Sequence, residues 1–529
     1  MNMPIKILVS DPVSKEGLEP LLKNPMFSVE IKTGMTPQEL LAHVAEAQAL
    51  LVRSETKVTA EVFAAAKQLR FVGRAGTGVD NIDLKAATAA GVVVANVPGG
   101  NTISAAEHAL ALMFSLARNV PAADASIRAG KWERSKFVGT ELTGKTLGVL
   151  GLGRIGKEVA TRAVGLNMRV LAYDPVGDDN WCRLARVTPV SFDDLLKQSD
   201  FVTVHVPLNP NTKGLLNRDS LAKAKPGLRL INCARGGIVD EAALLEAIEK
   251  GQVAGAALDV FEKEPPKDNP LLQRPEVIVT PHLGASTEEA QVKVAYELSL
   301  ALIDFFEKGY AKHAVNLPSV DVAGQTQLLS YVPLAYRLGL FLGQMVEGEI
   351  KSVSLAYSGE LGRCQSALFT VTALAGILRS SDAKASPVNA AAKAAEKGIQ
   401  VKEEAKTEAK DYASLLEIEV ATAQGAQRLA GTVYGRGDFR LVRINDLPID
   451  IQPEGHLLVM SNDDKPGVVG HTGTVLAEGG INIAGLEVGR NKPGGVAVSV
   501  WSVDGAVSAS VLAKVKKHPA VLSVRMVEL

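Results

Sequence analysis

The chain has 529 residues, too many for one hydrophobic core, so three or four domains are expected. Lys and Arg number 57 against 58 Asp and Glu, a balance that gives no global field to attract nucleic acid or an anionic membrane surface, and neither is expected as a partner. Cys182, Cys233 and Cys364 are too scattered for a disulfide framework or a metal-ligand spacing, so no metal is expected and a reducing cytoplasm suits the chain.

The N-terminus runs from Met3-Pro4 straight into an apolar strand, so no signal peptide is expected. β-branched runs at Ile5–Val9, Val29–Lys32, Ala49–Val52, Leu69–Val72 and Val92–Ala95 alternate with helical segments, the pattern of a parallel sheet covered by helices. The segment Ala105–Ala117 is apolar nearly all round, broken by Glu107 and His108, which predicts a buried helix too short to cross a bilayer. A second strand set follows at Leu147–Leu150, Val170–Tyr173, Phe201–Val206, Leu228–Asn232, Ala254–Leu258 and Val277–Val279. Two doubly wound sheets are expected to leave a cleft, with ligands at the carboxyl ends of the strands. The helical stretch Ser286–Lys308 is expected to return the chain to the first domain, and Asn316-Leu317-Pro318 marks a boundary.

From Val320 to Gln452 the pattern mixes helix and strand, and its Ala, Lys and Glu-rich tract Ala390–Lys410 reads as a solvated helix. The remainder reads strand Leu457–Met460, helix Val468–Glu478, strands Ile483–Gly489 and Gly495–Ser502, helix Ser508–Lys517 and strand Val521–Val527. That βαββαβ order predicts a ferredoxin-like module.

The most specific motif is Gly151-Leu152-Gly153-Arg154-Ile155-Gly156, which leaves the strand Leu147–Leu150 and opens a helix. Gly151 permits the tight turn, Gly153 lets the main chain approach a pyrophosphate, and Gly156 lets helix and strand pack closely. The helix N-terminus offers free N–H groups and a positive dipole end to the phosphates. Asp174 ends the next strand, where a carboxylate accepts from ribose hydroxyls and repels a 2′-phosphate, so NAD is the expected cofactor.

Polar residues cluster where the later strands of this set end: His205-Val206-Pro207, Cys233-Ala234-Arg235-Gly236-Gly237, Asp259 with Glu262 and Glu264, and Pro281-His282-Leu283-Gly284. Hydride transfer from a 2-hydroxy acid needs a proton carrier, a cation for the carboxylate and a group that fixes the carrier. His titrates near working pH, a neighbouring carboxylate such as Glu264 would stabilise its imidazolium, and the planar fork of Arg235 matches a carboxylate. Taken singly, Arg235 also reads as a surface salt-bridge partner and His282 as a satisfied strand-end histidine.

The stretches Gly151–Gly156, Asn232–Gly237, Asp259–Pro266 and Thr280–Gly284, in this order, resemble the signatures of the D-isomer-specific 2-hydroxyacid dehydrogenases. The resemblance implies that Arg235, Glu264 and His282 are catalytic. It also implies NAD contacts from Thr77, Gly151, Gly153, Arg154, Ile155, Gly156, Asp174, Val206, Pro207, Cys233, Ala234, Arg235, Asp259, His282, Gly284 and Ala285. The stretches Arg74–Asp83 and Asn96–Asn101 and the C-terminal extension resemble the long branch of that family, whose members oxidise 3-phosphoglycerate at the first step toward serine. The implied fold class is α/β: a flavodoxin-like substrate domain (1–97 and 285–317), a Rossmann NAD domain (98–284), an α+β intervening domain (318–452) and a ferredoxin-like ACT domain (453–529).

For a phosphorylated substrate the candidate binding residues are Arg53, Arg74, Asn96 and Gly99, with Arg134 and Lys136 from the same or a neighbouring subunit. Trp132 is read either as an interface anchor or as packed within its own subunit. Asn462, Asp464 and Asn482 resemble the ligand loop and strand of ACT domains, where an amino-acid effector binds, although Asp464 would repel an effector carboxylate. A homodimer or homotetramer is expected. The competing readings are a reductase of glyoxylate, hydroxypyruvate or another 2-oxo acid, and an NAD-responsive scaffold without catalysis.

Overall fold

The computed structural model describes residues 3–318, 326–364, 367–409, 411–435 and 437–529. They form two compact units, residues 1–97 with 296–529 and residues 98–295. In the first unit β1 (Ile5–Val9), β2 (Phe27–Ile31), β3 (Ala49–Val52), β4 (Phe71–Arg74) and β5 (Val93–Ala95) form a parallel sheet in the order β2-β1-β3-β4-β5. Every side chain of β3 and β5 is buried, as expected of a sheet covered on both faces. The order reverses between β1 and β3, which brings Asp11 and Arg53 together: the buried Asp11 carboxylate accepts from Arg53 N at 2.6 Å.

The unit of residues 98–295 holds β6 (Thr146–Leu150), β7 (Arg169–Tyr173), β8 (Val187–Pro189), β9 (Phe201–Val204), β10 (Leu228–Asn232), β11 (Val253–Leu258) and β12 (Val277–Val279). They pair in parallel in the order β12-β11-β10-β9-β6-β7-β8. The switch lies between β6 and β9, so the glycine turn after β6 opens at the crevice where ligands bind in such folds. The edge strand β8 has no counterpart in the sequence reading, because its three residues end at a proline and carry too little pattern. The predicted apolar helix spans Thr102–Arg118; Ala105, Ala106, Ala109, Leu110, Leu112, Met113, Leu116 and Ala117 are buried, whereas Ile103 and Phe114 face outward.

Further along the first unit, β13 (Ile350–Gly359), β14 (Gln400–Lys406), β15 (Ser414–Thr422), β16 (Gly425–Tyr434), β17 (Asp438–Ile444) and β18 (Leu447–Ile451) form a mixed sheet in the order β14-β13-β15-β16-β17-β18. The tract Ala390–Lys410 is not one solvated helix. It is helical only over Ala390–Glu396, turns at Gly398 with φ 69°, and continues as β14, parallel to β13; Lys410 lies outside the described residues. Pairing with β13 overrides helix propensity here, and the exposed Lys and Glu side chains suit an edge that must not recruit another strand.

The last sheet is antiparallel: β19 (His456–Asp463), β20 (Ile483–Arg490), β21 (Val496–Val503) and β22 (Val521–Glu528) lie in the order β20-β21-β19-β22, with helices Val468–Glu478 and Ala509–Val515. This is the expected ferredoxin-like arrangement. Among the described residues no helix is long and apolar enough to cross a membrane.

Candidate active site

The glycine turn has the three properties its motif requires. Gly151 adopts φ 97°, open to glycine and strained for other residues, and a Cβ there would lie 2.7 Å from His205 O. A Cβ on Gly156 would sit 1.9 Å from Gly151 O, so helix and turn touch through bare main chain. A Cβ on Gly153 would meet nothing within 4 Å, and no side chain caps the helix Arg154–Gly165 that follows. The turn therefore presents uncapped helix N–H groups across open space, a cradle that fits a dinucleotide pyrophosphate. Asp174 ends β7, and its carboxylate braces the turn by accepting from Leu152 N at 2.7 Å and Val176 N at 2.9 Å.

Three loops beyond β10, β11 and β12 are laced together. The buried Asn232 shapes the first: its Oδ1 accepts from Ala234 N and its Nδ2 donates to Arg235 O, each at 3.0 Å. Arg235 Nη1 donates to Ala234 O at 2.7 Å. Gly236 lies so close to the second loop that a Cβ would fall 1.8 Å from Phe261 O. Within the second loop Glu264 Oε1 accepts from Phe261 N at 3.2 Å, and Glu264 Oε2 meets His282 Nδ1 of the third loop at 2.8 Å.

Charge assigns the protons in that pair. Burial acts to raise the pKa of Glu264, but the hydrogen bond and charge of His282 outweigh it and hold the carboxyl below its usual range. An ionised carboxylate only accepts, so His282 Nδ1 carries the hydrogen and Nε2 is the basic nitrogen. His205, the other histidine at these strand ends, bonds Thr203 Oγ1 through Nε2 at 2.8 Å, and desolvation lowers its pKa to about 4. It stays neutral near pH 7 and is a poor proton carrier. Burial pushes the Cys233 thiol up, so Cys233 serves this loop through its main chain and not as a thiolate.

The third loop is fixed by Asp259. His282 has φ 56°, a left-handed conformation costly for a side chain of its size. Its N–H donates to Asp259 O at 3.0 Å, while the fully buried Asp259 carboxylate accepts from Thr280 Oγ1 at 2.6 Å, Leu283 N at 2.7 Å and Gly284 N at 2.9 Å. Desolvation alone would raise the Asp259 pKa, yet hydrogen bonds from His108, Thr280 and Leu283 bring it below the ordinary value. His108 and Asn232 carry no role in the sequence reading. The available signal for His108 was its spacing: Asn101, Ser104, Ala105 and His108 share one helix face.

In the other unit Arg53 and Arg74 lie at the carboxyl ends of β3 and β4, and Thr77 and Asn96 join them at that end of the sheet. Asn96 Nδ2 donates to Thr77 O, and Val97 N donates to Gly76 O at 2.9 Å. Arg53 Nη1 donates to Pro12 O at 3.2 Å. In the unit of residues 98–295, Gly99 has φ 97° and would bring a Cβ to 3.2 Å from Arg154 Cδ. Arg134 and Lys136 lie on an exposed turn, where Lys136 pairs with Glu133 at 2.5 Å. Trp132 is 78% exposed, so it does not pack inside its own subunit.

The three ACT-type residues do not converge within one chain. Asp464 binds Arg490 at 2.6 Å and Gly494 N at 3.0 Å, whereas Asn482 binds Asp504 at 2.8 Å. Antiparallel pairing of Asp463 with Val496 and of His456 with Val503 puts the loop at one end of the sheet and Asn482 at the other. Seven residues of strand separate them, roughly 23 Å. Asn462 is buried and donates to Asp463 O at 2.8 Å.

This sheet order, glycine turn and histidine–glutamate pair define an NAD-dependent dehydrogenase of the D-isomer-specific 2-hydroxyacid class. The family model for the NAD-binding domain of D-isomer-specific 2-hydroxyacid dehydrogenases matches residues 110–284, and that for the D-3-phosphoglycerate dehydrogenase intervening domain matches residues 327–445. The chain is 44% identical over 529 residues to a D-3-phosphoglycerate dehydrogenase of Archaeoglobus fulgidus, covering 99% of this chain and 100% of that one. It is 41% identical over 525 residues to one from Bacillus subtilis, covering 99% of each. A crystal structure of D-lactate dehydrogenase from Aquifex aeolicus complexed with NAD and lactic acid is similar at 28% identity and TM-score 0.52, over 58% of this chain and 98% of that one. The chain belongs to the D-3-phosphoglycerate dehydrogenase family.

Proposed function

We propose that the chain oxidises 3-phospho-D-glycerate to 3-phosphohydroxypyruvate through His282, Arg235 and Glu264. The observation that carries this reading is the 2.8 Å contact between His282 Nδ1 and Glu264, which directs the basic Nε2 away from its partner. His282 Nε2 takes the hydroxyl proton, Glu264 stabilises the imidazolium that results, and Arg235 orients the substrate carboxylate. NAD, when held at the glycine turn, would supply the acceptor for the hydride that leaves C2. In the reverse direction His282 returns the proton.

Gly151, Gly153 and Gly156, with Arg154 and Ile155, would hold the pyrophosphate, and Asp174 would hold the adenosine ribose. The main chain at Val206, Pro207, Cys233, Ala234, Gly284 and Ala285, with Thr77 and Asp259, completes the cofactor contacts. We assign the substrate phosphate to Arg53 and Arg74, with Asn96 and Gly99 shaping the main chain. Arg134 and Lys136 are assigned to the same phosphate across a subunit boundary; the exposed Trp132 beside them supports a homo-oligomer. An amino-acid effector at the ACT-type module would need Asn482 from a second copy. The domain limits assigned to these roles are 1–97 with 285–317, 98–284, 318–452 and 453–529.

The test is turnover by His282→Asn and Arg235→Gln with NAD binding measured in parallel. His282→Asn should still bind NAD and turn over at least about a thousandfold more slowly, the scale of losing a general base. Arg235→Gln should act mainly through KM for the hydroxy acid. Wild-type turnover by His282→Asn would remove the assignment.

A further inference from the structure

We propose that His108 is a positioning residue for the proton-carrying His282, acting through the buried carboxylate of Asp259. The inference rests on the catalytic reading of His282 given above and adds a residue outside the four signature stretches.

His108 lies in the helix Thr102–Arg118, far in sequence from the loop it serves. Its Nε2 is 3.2 Å from Asp259 Oδ1 and 3.2 Å from Thr280 Oγ1. Asp259 is fully buried and ionised, so it can only accept, and the hydrogen between the two side chains belongs to His108 Nε2. The same carboxylate takes the N–H groups of Leu283 and Gly284, the two residues that follow His282. A carboxylate without solvent holds its charge only while its hydrogen bonds are complete, and His108 Nε2 supplies one of them from a helix outside the loop. Removing it weakens the group that keeps His282 in its left-handed conformation at φ 56°.

Two further contacts show that the helix face as a whole seats this loop. Ser104 Oγ lies 2.8 Å from Thr287 Oγ1, and a Cβ on Gly284 would come within 3.9 Å of Ala105 Cβ and 3.3 Å of Asp259 Oδ2. The face formed by residues 104, 105 and 108 therefore sets the height of the histidine loop, and His108 supplies its polar anchor. Nothing in this arrangement requires His108 to touch substrate or cofactor.

The experiment compares His108→Leu, His108→Gln and His108→Asn in the full chain. It measures kcat and KM for NAD and 3-phosphoglycerate, the deuterium isotope effect on kcat with 2-deuterated substrate, and the melting temperature. A shift of about 1 Å at a reacting group costs on the order of a hundredfold. His108→Leu should lose about ten- to a hundredfold in kcat and show a larger isotope effect as the chemical step becomes limiting. Gln places a donor near the Nε2 position and should restore kcat to within about fivefold, whereas the shorter Asn should not. If His108→Leu does not fold, the contrast between Gln and Asn decides alone. A His108→Leu enzyme within about twofold of wild type, equal impairment in Gln and Asn, or a loss that follows melting temperature with an unchanged isotope effect would each overturn the proposal. His282→Asn is the control: if it turns over normally, the catalytic reading fails whatever His108 does.

Discussion

Replacing Glu264 by Gln removes the charge at nearly constant shape: the single amide oxygen can still accept from His282 Nδ1, while the weaker 3.2 Å bond from Phe261 N is given up. The two groups meet at 2.8 Å with side chains 39% and 42% exposed, so water screens the pair. A hydrogen bond to a charged group contributes about 1.5–3 kcal/mol, and the exposure reduces the charge-dependent part to about 1 kcal/mol. The direction follows from the coupling: His282 lowers the pKa of Glu264, and by reciprocity the carboxylate favours protonated His282. Oxidation needs a neutral base at His282, and loss of the Glu264 charge removes the group that favours the imidazolium, so the acid limb of kcat/KM in Glu264→Gln moves to lower pH. The wild-type limb is not that of Glu264. A carboxyl with a depressed pKa contributes its stabilisation above its ordinary value of 4.5 and loses it as pH falls through the lower, folded-state value. The plateau of kcat should fall about five- to thirtyfold as the developing imidazolium loses its counter-charge. The assay is NADH formation across pH with saturating NAD, and an acid limb that stays in place or moves upward would refute the assignment of the pair.

Gly156→Ala would force a methyl to 1.9 Å from Gly151 O, so the turn must open. The melting curve should show a loss of about 2–3 kcal/mol, and NAD titration at least tenfold weaker binding; wild-type values in both would contradict the packing argument. Asp174→Ala should raise the ratio of NADP to NAD in kcat/KM by about tenfold or more, while weakening NAD through loss of the brace on Leu152 N and Val176 N. Arg53→Ala and Arg74→Ala should each raise KM for 3-phosphoglycerate about tenfold or more and leave unphosphorylated D-glycerate little changed; equal losses on both substrates would move these residues away from the phosphate.

The chemistry-bearing strand ends were legible because hydrophobic runs fix the strands and turn residues punctuate them. Gly151–Gly156, Arg235, Glu264 and His282 each follow a run the pattern finds, and a doubly wound sheet collects such ends. The contacts that fix those ends were less legible. His108 reaches Asp259 across 151 positions of sequence, and β8 carries three residues of pattern. The tract Ala390–Lys410 misled because Ala, Lys and Glu favour helix locally while its strand depends on pairing with β13. Asn462, Asp464 and Asn482 look like one site when read by motif; strand direction, which the motif does not carry, puts Asp464 and Asn482 at opposite ends of the sheet.

Oxidation of 3-phospho-D-glycerate is read most directly from the initial rate of NADH formation by the purified full chain, beside D-glycerate, D-lactate and D-2-hydroxyglutarate. Alkaline buffer favours oxidation by removing the released proton. The expected kcat/KM for 3-phospho-D-glycerate is at least about a hundredfold above the other three, the scale of two charge-assisted contacts to one phosphate. Comparable or greater efficiency on an unphosphorylated acid would keep the His282 chemistry but contradict the substrate, and NAD binding without turnover on any of the four would contradict catalysis by His282, Arg235 and Glu264 altogether.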